Sequence, residues 1–319
     1  MTGGAGYVGS ICVEELLNAG HEVVVFDNLS EGHRSAVDPR ATFMKADLAD
    51  VGKVRQSLAE SRAEAVMHFG ANALVEESVK NPSKYFRNNV ANGINLLDAM
   101  HECGTKKIVF SSTCATYGNP ERVPITEDHP QRPLNPYGLS KMMFEQVLKW
   151  YEFAHGIRYV ILRYFNAAGC TEKYGEHHRN ETHLIPSIML TALGKKSHVD
   201  IFGKDYDTPD GTCIRDYIHT IDLAQAHILA LKREESTIYN LGNGQGHSVS
   251  QILSVSRKIT GKEIPSVFKP RRLGDVSRLI AASHRMSRDL EWIPRFPKIE
   301  QIVESAWEWH RAHPDGYPD

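Results

Sequence analysis

The chain has no Cys-x-x-Cys pair, and its five cysteines (Cys12, Cys103, Cys114, Cys170 and Cys213) are odd in number and scattered. A disulfide framework is therefore not expected; reduced thiols in a cytoplasmic protein fit this usage. No apolar run reaches the roughly 18–20 residues of a membrane helix, so no membrane span is expected. Charge of one sign is also lacking. The net charge is −2 and the pI is about 6.8, which gives no reason to expect nucleic acid or a membrane surface as partner. Internal repeats, low-complexity tracts and clear linkers are absent. Apolar residues make up 41% and charged residues 24%, ordinary for a globular protein with a large core.

One further absence concerns the start. Met1-Thr2-Gly3-Gly4-Ala5-Gly6-Tyr7-Val8-Gly9-Ser10 places Gly3, Gly6 and Gly9 in a G-x-x-G-x-x-G loop. Such loops bind dinucleotides. Their glycines permit a tight turn, close approach of backbone to a pyrophosphate, and close helix–strand packing. The phosphate then meets free N–H groups at a helix N-terminus. A buried strand of about five residues normally precedes such a loop. Only two residues precede it here, so the first strand reads as missing, as in a fragment or a misplaced start codon, with low stability and weak dinucleotide retention expected.

Beyond the loop, helix and strand signals alternate. Cys12–Ala19 reads as helix and 21–27 as a β-branched strand. Ala41–Ala46, Ala65–Phe69, Lys107–Phe110 and Tyr159–Tyr164 read as further strands. Val51–Ser61, a long amphipathic Pro82–Cys103 and Tyr137–His155 read as helices. Repeated βα units imply a doubly wound parallel sheet, an α/β Rossmann-like fold. After about Asn166 the texture becomes loop-rich, with helices near 185–193, 222–231, 248–260 and 299–312 and a strand at Ile238–Leu241. We expect a dinucleotide-binding domain over 1–166 and a smaller α/β domain over 167–319.

Asp27 closes the strand after the glycine loop, where a carboxylate meets adenosine ribose hydroxyls. It would repel a 2′-phosphate, so NAD is expected rather than NADP. Asp47-Leu48, after the next strand, is placed to face the adenine. Tyr137-Gly138-Leu139-Ser140-Lys141 puts Tyr137 and Lys141 on one helical face. A tyrosine is a poor base near neutrality, and a neighbouring ammonium favours its phenolate. Ser111-Ser112-Thr113 lies at the C-terminal end of a strand, where doubly wound sheets bind ligands, and a hydroxyl there can hold a reacting oxygen.

With these motifs in that order the chain resembles the extended short-chain dehydrogenase/reductase family, and within it the UDP-glucose 4-epimerases. The resemblance runs nearly end to end, through TGGAGYVGS (2–10), FSSTCATYG (110–118), YGLSK (137–141), RYFNAAG (163–169), HLIP (183–186), DGTCIRDYIHTIDLA (210–224), RRLGD (271–275) and HPDGYPD (313–319). It implies an NAD-using inversion of C4 of a UDP-hexose, in galactose metabolism, with no metal and with a homodimer. It also implies that 212–242 packs back on the first domain. It gives Tyr137 the role of base, Lys141 that of its partner and nicotinamide-ribose contact, and Thr113 that of the catalytic hydroxyl. Gly3, Gly6, Tyr7, Val8, Gly9, Asp27, Asn28, Asp47, Leu48, Phe69, Asn89 and Tyr164 take cofactor positions. Asn166, His183, Leu184, Arg215, Arg272, Asp275 and Leu279 take UDP-sugar positions; the two guanidinium groups suit a diphosphate.

The chain departs from the family pattern at two positions. Ala73 stands where some members place a lysine near the cofactor phosphates. Leu279 stands where others place a tyrosine at the sugar pocket, which leaves room for a 2-acetamido group. UDP-N-acetylglucosamine, a UDP-pentose or a UDP-uronate thus remain open as substrates, as does a non-catalytic NAD-binding role. A 4,6-dehydratase is disfavoured, because Cys114-Ala115 follow Thr113 where elimination needs an acid/base pair.

Overall fold

A computed structural model describes residues 1–272 and 274–318. Leu273 of the RRLGD block and Asp319 of the terminal block lie outside the described residues. The strands are β1 (Val24–Asp27), β2 (Thr42–Lys45), β3 (Val66–His68), β4 (Lys107–Thr113), β5 (Arg158–Tyr164), β6 (Asn166–Ala168), β7 (Val199–Phe202), β8 (Ile214–His219), β9 (Thr237–Leu241), β10 (Gly246–Ser248), β11 (Ser266–Lys269) and β12 (Arg278–Leu279). The helices are α1 (Tyr7–Asn18), α2 (Val51–Ser61), α3 (Val75–Lys80), α4 (Pro82–Phe86), α5 (Asn92–Glu102), α6 (Pro136–His155), α7 (Leu184–Ala192), α8 (Thr220–Ala230), α9 (Val249–Thr260), α10 (His284–Leu290) and α11 (Ile299–Ala312).

The main sheet is parallel. β1 pairs with β2, and β3, β4, β5 and β9 follow in that order. Met1-Thr2 lies in the gap between β1 and β3. Thr2 bridges Phe26 on one side and His68 on the other, and backbone bonds run Phe26 N to Met1 O, Thr2 N to Met67 O and Phe69 N to Thr2 O. No strand precedes α1, as expected; the central position is partly filled by the Met1-Thr2 stub, whose backbone pairs with part of the facing ladders.

Alternation along the strands sends side chains to opposite faces. Val25, Met67, Val109, Val160 and Leu162 pack with Ile11, Cys12 and Leu16 of α1 and Leu223 and Ala226 of α8. Phe26, Val66, Ile108, Phe110 and Ile161 pack on the other face with Val54 and Leu58 of α2, Leu96 and Met100 of α5, and Phe144 and Leu148 of α6. Truncating a buried aromatic such as Phe144 to alanine costs about 3–5 kcal/mol.

The remaining strands form smaller sheets. β8 pairs with β6, β10 and β12, and β7 pairs with β11. Helices α7, α9 and α11 bury Ile188, Ile252, Ile302 and Trp309 around a third apolar cluster. Yet β9 joins the main sheet beside β5, and α8 packs on α1. One expectation is corrected. The single helix over 82–103 is α4 and α5 joined by a π-helical turn at Arg87–Ala91.

Candidate active site

Gly3 has φ +72°, and a Cβ there would come 2.5 Å from Gly70 N; a Cβ at Gly9 would come 2.1 Å from Gly3 O. The loop is thus folded onto itself with no room for side chains at either end. Gly6 differs: a Cβ there meets only Gly3 O, at an ordinary 3.5 Å. The protein's own packing does not demand glycine at position 6. The space it keeps clear adjoins the N-terminus of α1, where peptide N–H groups receive a phosphate. That cradle fits a dinucleotide.

The loop lines a cavity of about 1000 Å³, at the top of the usual range for ligand sites. Its wall includes Gly3, Gly6, Tyr7, Val8, Gly9, Phe69, Thr113, Tyr137 and Tyr164. It also includes Asn166, His183, Leu184, Arg215, Arg272, Asp275 and Leu279. Sixteen of the expected residues therefore share one chamber. Ala73 lies in the same wall.

Asp27, Asn28, Asp47, Leu48, Asn89 and Lys141 are not among its lining residues. The Asp27 carboxylate accepts from Ala5 N (3.0 Å) and Leu29 N (2.8 Å), so it ties the glycine loop to β1; burial pushes its pKa up. Asn28 donates to Asp47 at 2.6 Å. Leu48 O accepts from Asn95. Asn89 sits in the π-helical turn and accepts from Asn72 N, while its amide donates to Asn72 O and Ser140 Oγ.

Helix α6 starts with a side-chain cap, Asn135 Oδ1 accepting from Gly138 N at 2.8 Å, with Pro136 in its first turn. A Cβ at Gly138 would come 2.5 Å from Ala115 O. Glycine here lets the helix start press against the turn after β4, which brings Tyr137 to Thr113. Burial pushes the Tyr137 phenol up, as does Tyr164, while a hydrogen bond from Thr113 pulls it down. Burial likewise pushes Tyr164 up to about 12. Lys141 is buried, donates to Ser111 O at 2.8 Å and lies 4.7 Å from the Phe110 ring centre. Burial lowers its pKa to about 7, against the charge of Glu145. The expected lowering of the Tyr137 pKa by Lys141 is thus not present in this arrangement: the ammonium points to Ser111, and desolvation dominates.

Elsewhere in the wall, Asp275 accepts from Arg272 Nε at 3.1 Å and lies 3.8 Å from Arg215. Arg272 also stacks on Phe202, 4.5 Å from its ring centre. Arg215 donates to Ile214 O and Val276 O. His183 is under competing influences: burial lowers its pKa, but the Glu181 hydrogen bond and the Glu176 charge outweigh this and raise it to about 8. Leu279 packs near Cys114, Tyr117 and Phe165. The Cys114 thiol is pushed up to about 12 by burial, so it is a poor proton carrier.

Sequence reasoning missed the network beneath Thr113. Ser112 Oγ donates to Glu145 at 2.5 Å, and Arg163 binds the same carboxylate through Nε and Nη2. Arg163 also reaches the Tyr117 hydroxyl at 3.0 Å. The available signal was Glu145 itself, one turn beyond Lys141 and fully buried.

Comparison with known proteins agrees with this geometry. Residues 1–242 match the model of the NAD dependent epimerase/dehydratase family. A UDP-glucose 4-epimerase from Lacticaseibacillus casei is 49% identical, over 99% of this chain and 98% of its own. A crystal structure of a UDP-glucose 4-epimerase superposes with a TM-score of 0.97 at 47% identity, covering 100% of this chain and 98% of the other. That of the Bifidobacterium longum UDP-glucose 4-epimerase, in complex with NAD+ and UDP, gives 0.96 at 35% identity over 99% and 98%. The chain belongs to the NAD dependent epimerase/dehydratase family and is an NAD-dependent enzyme of its UDP-glucose 4-epimerase group.

Proposed function

We propose that the chain interconverts UDP-glucose and UDP-galactose by inverting C4 of the sugar. The observation that carries this is the meeting of Thr113 and Tyr137 in the wall of one chamber. The glycine loop and Arg215, Arg272 and Asp275 line the same chamber. NAD, when bound, supplies the acceptor that takes up and returns the C4 hydrogen with its electron pair. The chain's own work is positioning and proton handling. Tyr137, as phenolate, removes the 4-hydroxyl proton and later restores it; Thr113 hydrogen-bonds the same oxygen. Lys141 exchanges its bond to Ser111 O for a place beside the phenolate and the nicotinamide ribose.

Gly3, Gly6, Tyr7, Val8 and Gly9 hold the pyrophosphate side of NAD. Asp27 and Asn28 take the adenosine ribose, and Asp47 and Leu48 border the adenine. Phe69, Asn89 and Tyr164 shape the rest of that half. Arg215 and Arg272 clamp the UDP diphosphate while Asn166, His183, Leu184, Asp275 and Leu279 line the sugar side. The domains divide accordingly: 1–166 for NAD and 167–319 for UDP-sugar, with 212–242 docked on the first. The physiological setting we propose is galactose metabolism in the cytoplasm, consistent with five free thiols. No helix among the described residues is long and apolar enough to cross a membrane.

We also propose a homodimer through α5 and α6. Trp150 and Phe153 of α6 are 69% and 83% exposed, which an interface would cover. Light scattering of Trp150→Glu/Phe153→Glu should give a monomer; an unchanged mass would move the interface elsewhere.

A coupled assay for UDP-glucose formed from UDP-galactose tests the reaction, with bound NAD measured on the same sample. Full NAD occupancy with no turnover would point to the non-catalytic reading. Leu279 in the chamber wall favours a second substrate, UDP-N-acetylglucosamine. Turnover of both sugars by one preparation decides this, and no detectable N-acetyl turnover removes it.

A further inference from the structure

Glu176, His178, Glu181 and His183 offer one donor atom each, and these four atoms all lie within 4.8 Å of one another. We propose that they form a binding site for one divalent first-row transition ion. The spacing supports this. Glu176 Oε1 lies 3.1 Å from His178 Nε2 and 3.4 Å from His183 Nδ1, and His183 Nδ1 lies 2.9 Å from Glu181 Oε1. Four ligands at 2.0–2.1 Å around a tetrahedral ion stand about 3.4 Å apart. The three close pairs already stand near that separation, and the widest, within 4.8 Å, closes by at most about 1.4 Å to admit the ion.

A second observation is independent of that spacing. Glu181 Oε2 is buried and has no hydrogen-bond partner, in a side chain only 9% exposed. A buried carboxylate oxygen without a partner is costly. Its twin oxygen is already used by His183 N and Nδ1. The Glu176 side chain is 6% exposed. Two buried carboxylates and two imidazoles carry a charge of −2 when the rings are neutral, which a dication cancels. Two nitrogens and two oxygens suit zinc. The half-exposed His183 and the partly exposed His178 both face the main chamber, which supplies a route of entry.

The ion would act as a clip. Residues 170–183 form no helix or strand yet lead directly into α7. Ligands at 176, 178, 181 and 183 close this segment on itself and fix the side chain at its end, beside Leu184 at the chamber wall. The site itself does not depend on the epimerase reading, because uptake is measured without turnover.

The test uses the full, tag-free chain with its NAD retained. It is stripped with EDTA, then titrated with Zn2+ by calorimetry, with melting temperature read in parallel. One Zn2+ per chain and a higher melting temperature are expected. Co2+ should give the intense visible bands of a tetrahedral site. His178→Ala and Glu181→Gln should each weaken Zn2+ binding about tenfold or more, with circular dichroism unchanged. If His178→Ala does not fold, the isosteric Glu181→Gln decides alone. Absence of stoichiometric uptake, or uptake equal in wild type and Glu181→Gln, overturns the proposal and leaves an ion-paired His–Glu cluster.

Discussion

Lys141 on α6 donates to the carbonyl of Ser111 on β4, 2.8 Å away, so the one ammonium on the face of Tyr137 is held by the main chain. Burial brings its pKa down from 10.5 to about 7. Between those values the unfolded chain holds a proton that the folded, NAD-free chain does not. Stability contributed through Lys141 should therefore rise with pH from about 7 to about 10, by at most about 1.4 kcal/mol per unit. Denaturant melts of NAD-free wild type and Lys141→Met at pH 7 and pH 9 check this. Equal pH slopes in the two proteins would mean that Lys141 titrates normally.

Tyr137→Phe removes one hydroxyl beside Thr113. The helix start, its Asn135 cap and the glycine loop stay as they are. The variant should fold and keep NAD, while turnover drops about 10²–10⁴-fold, the usual worth of a positioned acid–base group. Near-normal rates would move the base elsewhere.

Gly6→Ala and Gly9→Ala should part company. At Gly9 the new methyl strikes Gly3 O, so the loop must open and the melting temperature should fall sharply. At Gly6 the methyl meets no close protein atom. That variant should melt like wild-type apoprotein but lose NAD, seen as a loss of bound dinucleotide by absorbance. Normal NAD content in Gly6→Ala would place the pyrophosphate away from this turn.

Arg163 and Glu145 form a buried ion pair, with 2.5 Å between Nη2 and Oε2. Arg163→Met leaves Glu145 charged and buried, which should cost about 3–5 kcal/mol. Arg163→Met/Glu145→Leu should recover part of that loss. Chemical denaturation of the single and double variants measures both, and a loss under about 1 kcal/mol in Arg163→Met would show that Ser112 and Gln131, whose amide donates to Glu145 at 2.9 Å, suffice to hold the carboxylate.

Much of the framework is legible in the chain's local patterns. The β-branched run ending at Asp27 and the periodicity of 51–61 each depend on neighbours in sequence, and strand β1 and helix α2 lie where those patterns lie. The grouping of Thr113, Tyr137 and Lys141 is legible because Y-x-x-x-K and the hydroxyl cluster are local too. Three things are not. Strand β8 carries Arg215 and Asp216 in its interior, which hides its β character. Asp216 is buried there by three backbone N–H donors from Ala281, Asn243 and Gly244, partners far away in the chain. The ladder role of Met1-Thr2 depends on strands β1 and β3 leaving a gap two residues can fill. Finally, whether a site residue lines the chamber or stands outside its lining, as Asp27 and Asn89 do, is decided by packing rather than by spacing.

The π-helical turn at Arg87–Ala91 has a consequence for how this helix can change length. Such a turn holds one residue more than α-helical winding needs. Deleting a residue between 87 and 91 would let the segment rewind as plain α-helix with almost no change of phase between its two ends, since five residues of π-winding sweep about the same angle as four of α-winding. α5 could therefore keep Leu96 and Met100 on the sheet, and α4 its own packing face. Asn89 would rotate away from Asn72 and Ser140, and the chamber wall at Asn72 would lose its tether. The extra residue thus serves the chamber rather than the core: it turns Asn89 toward Asn72 and Ser140 while the packing faces on either side stay in phase.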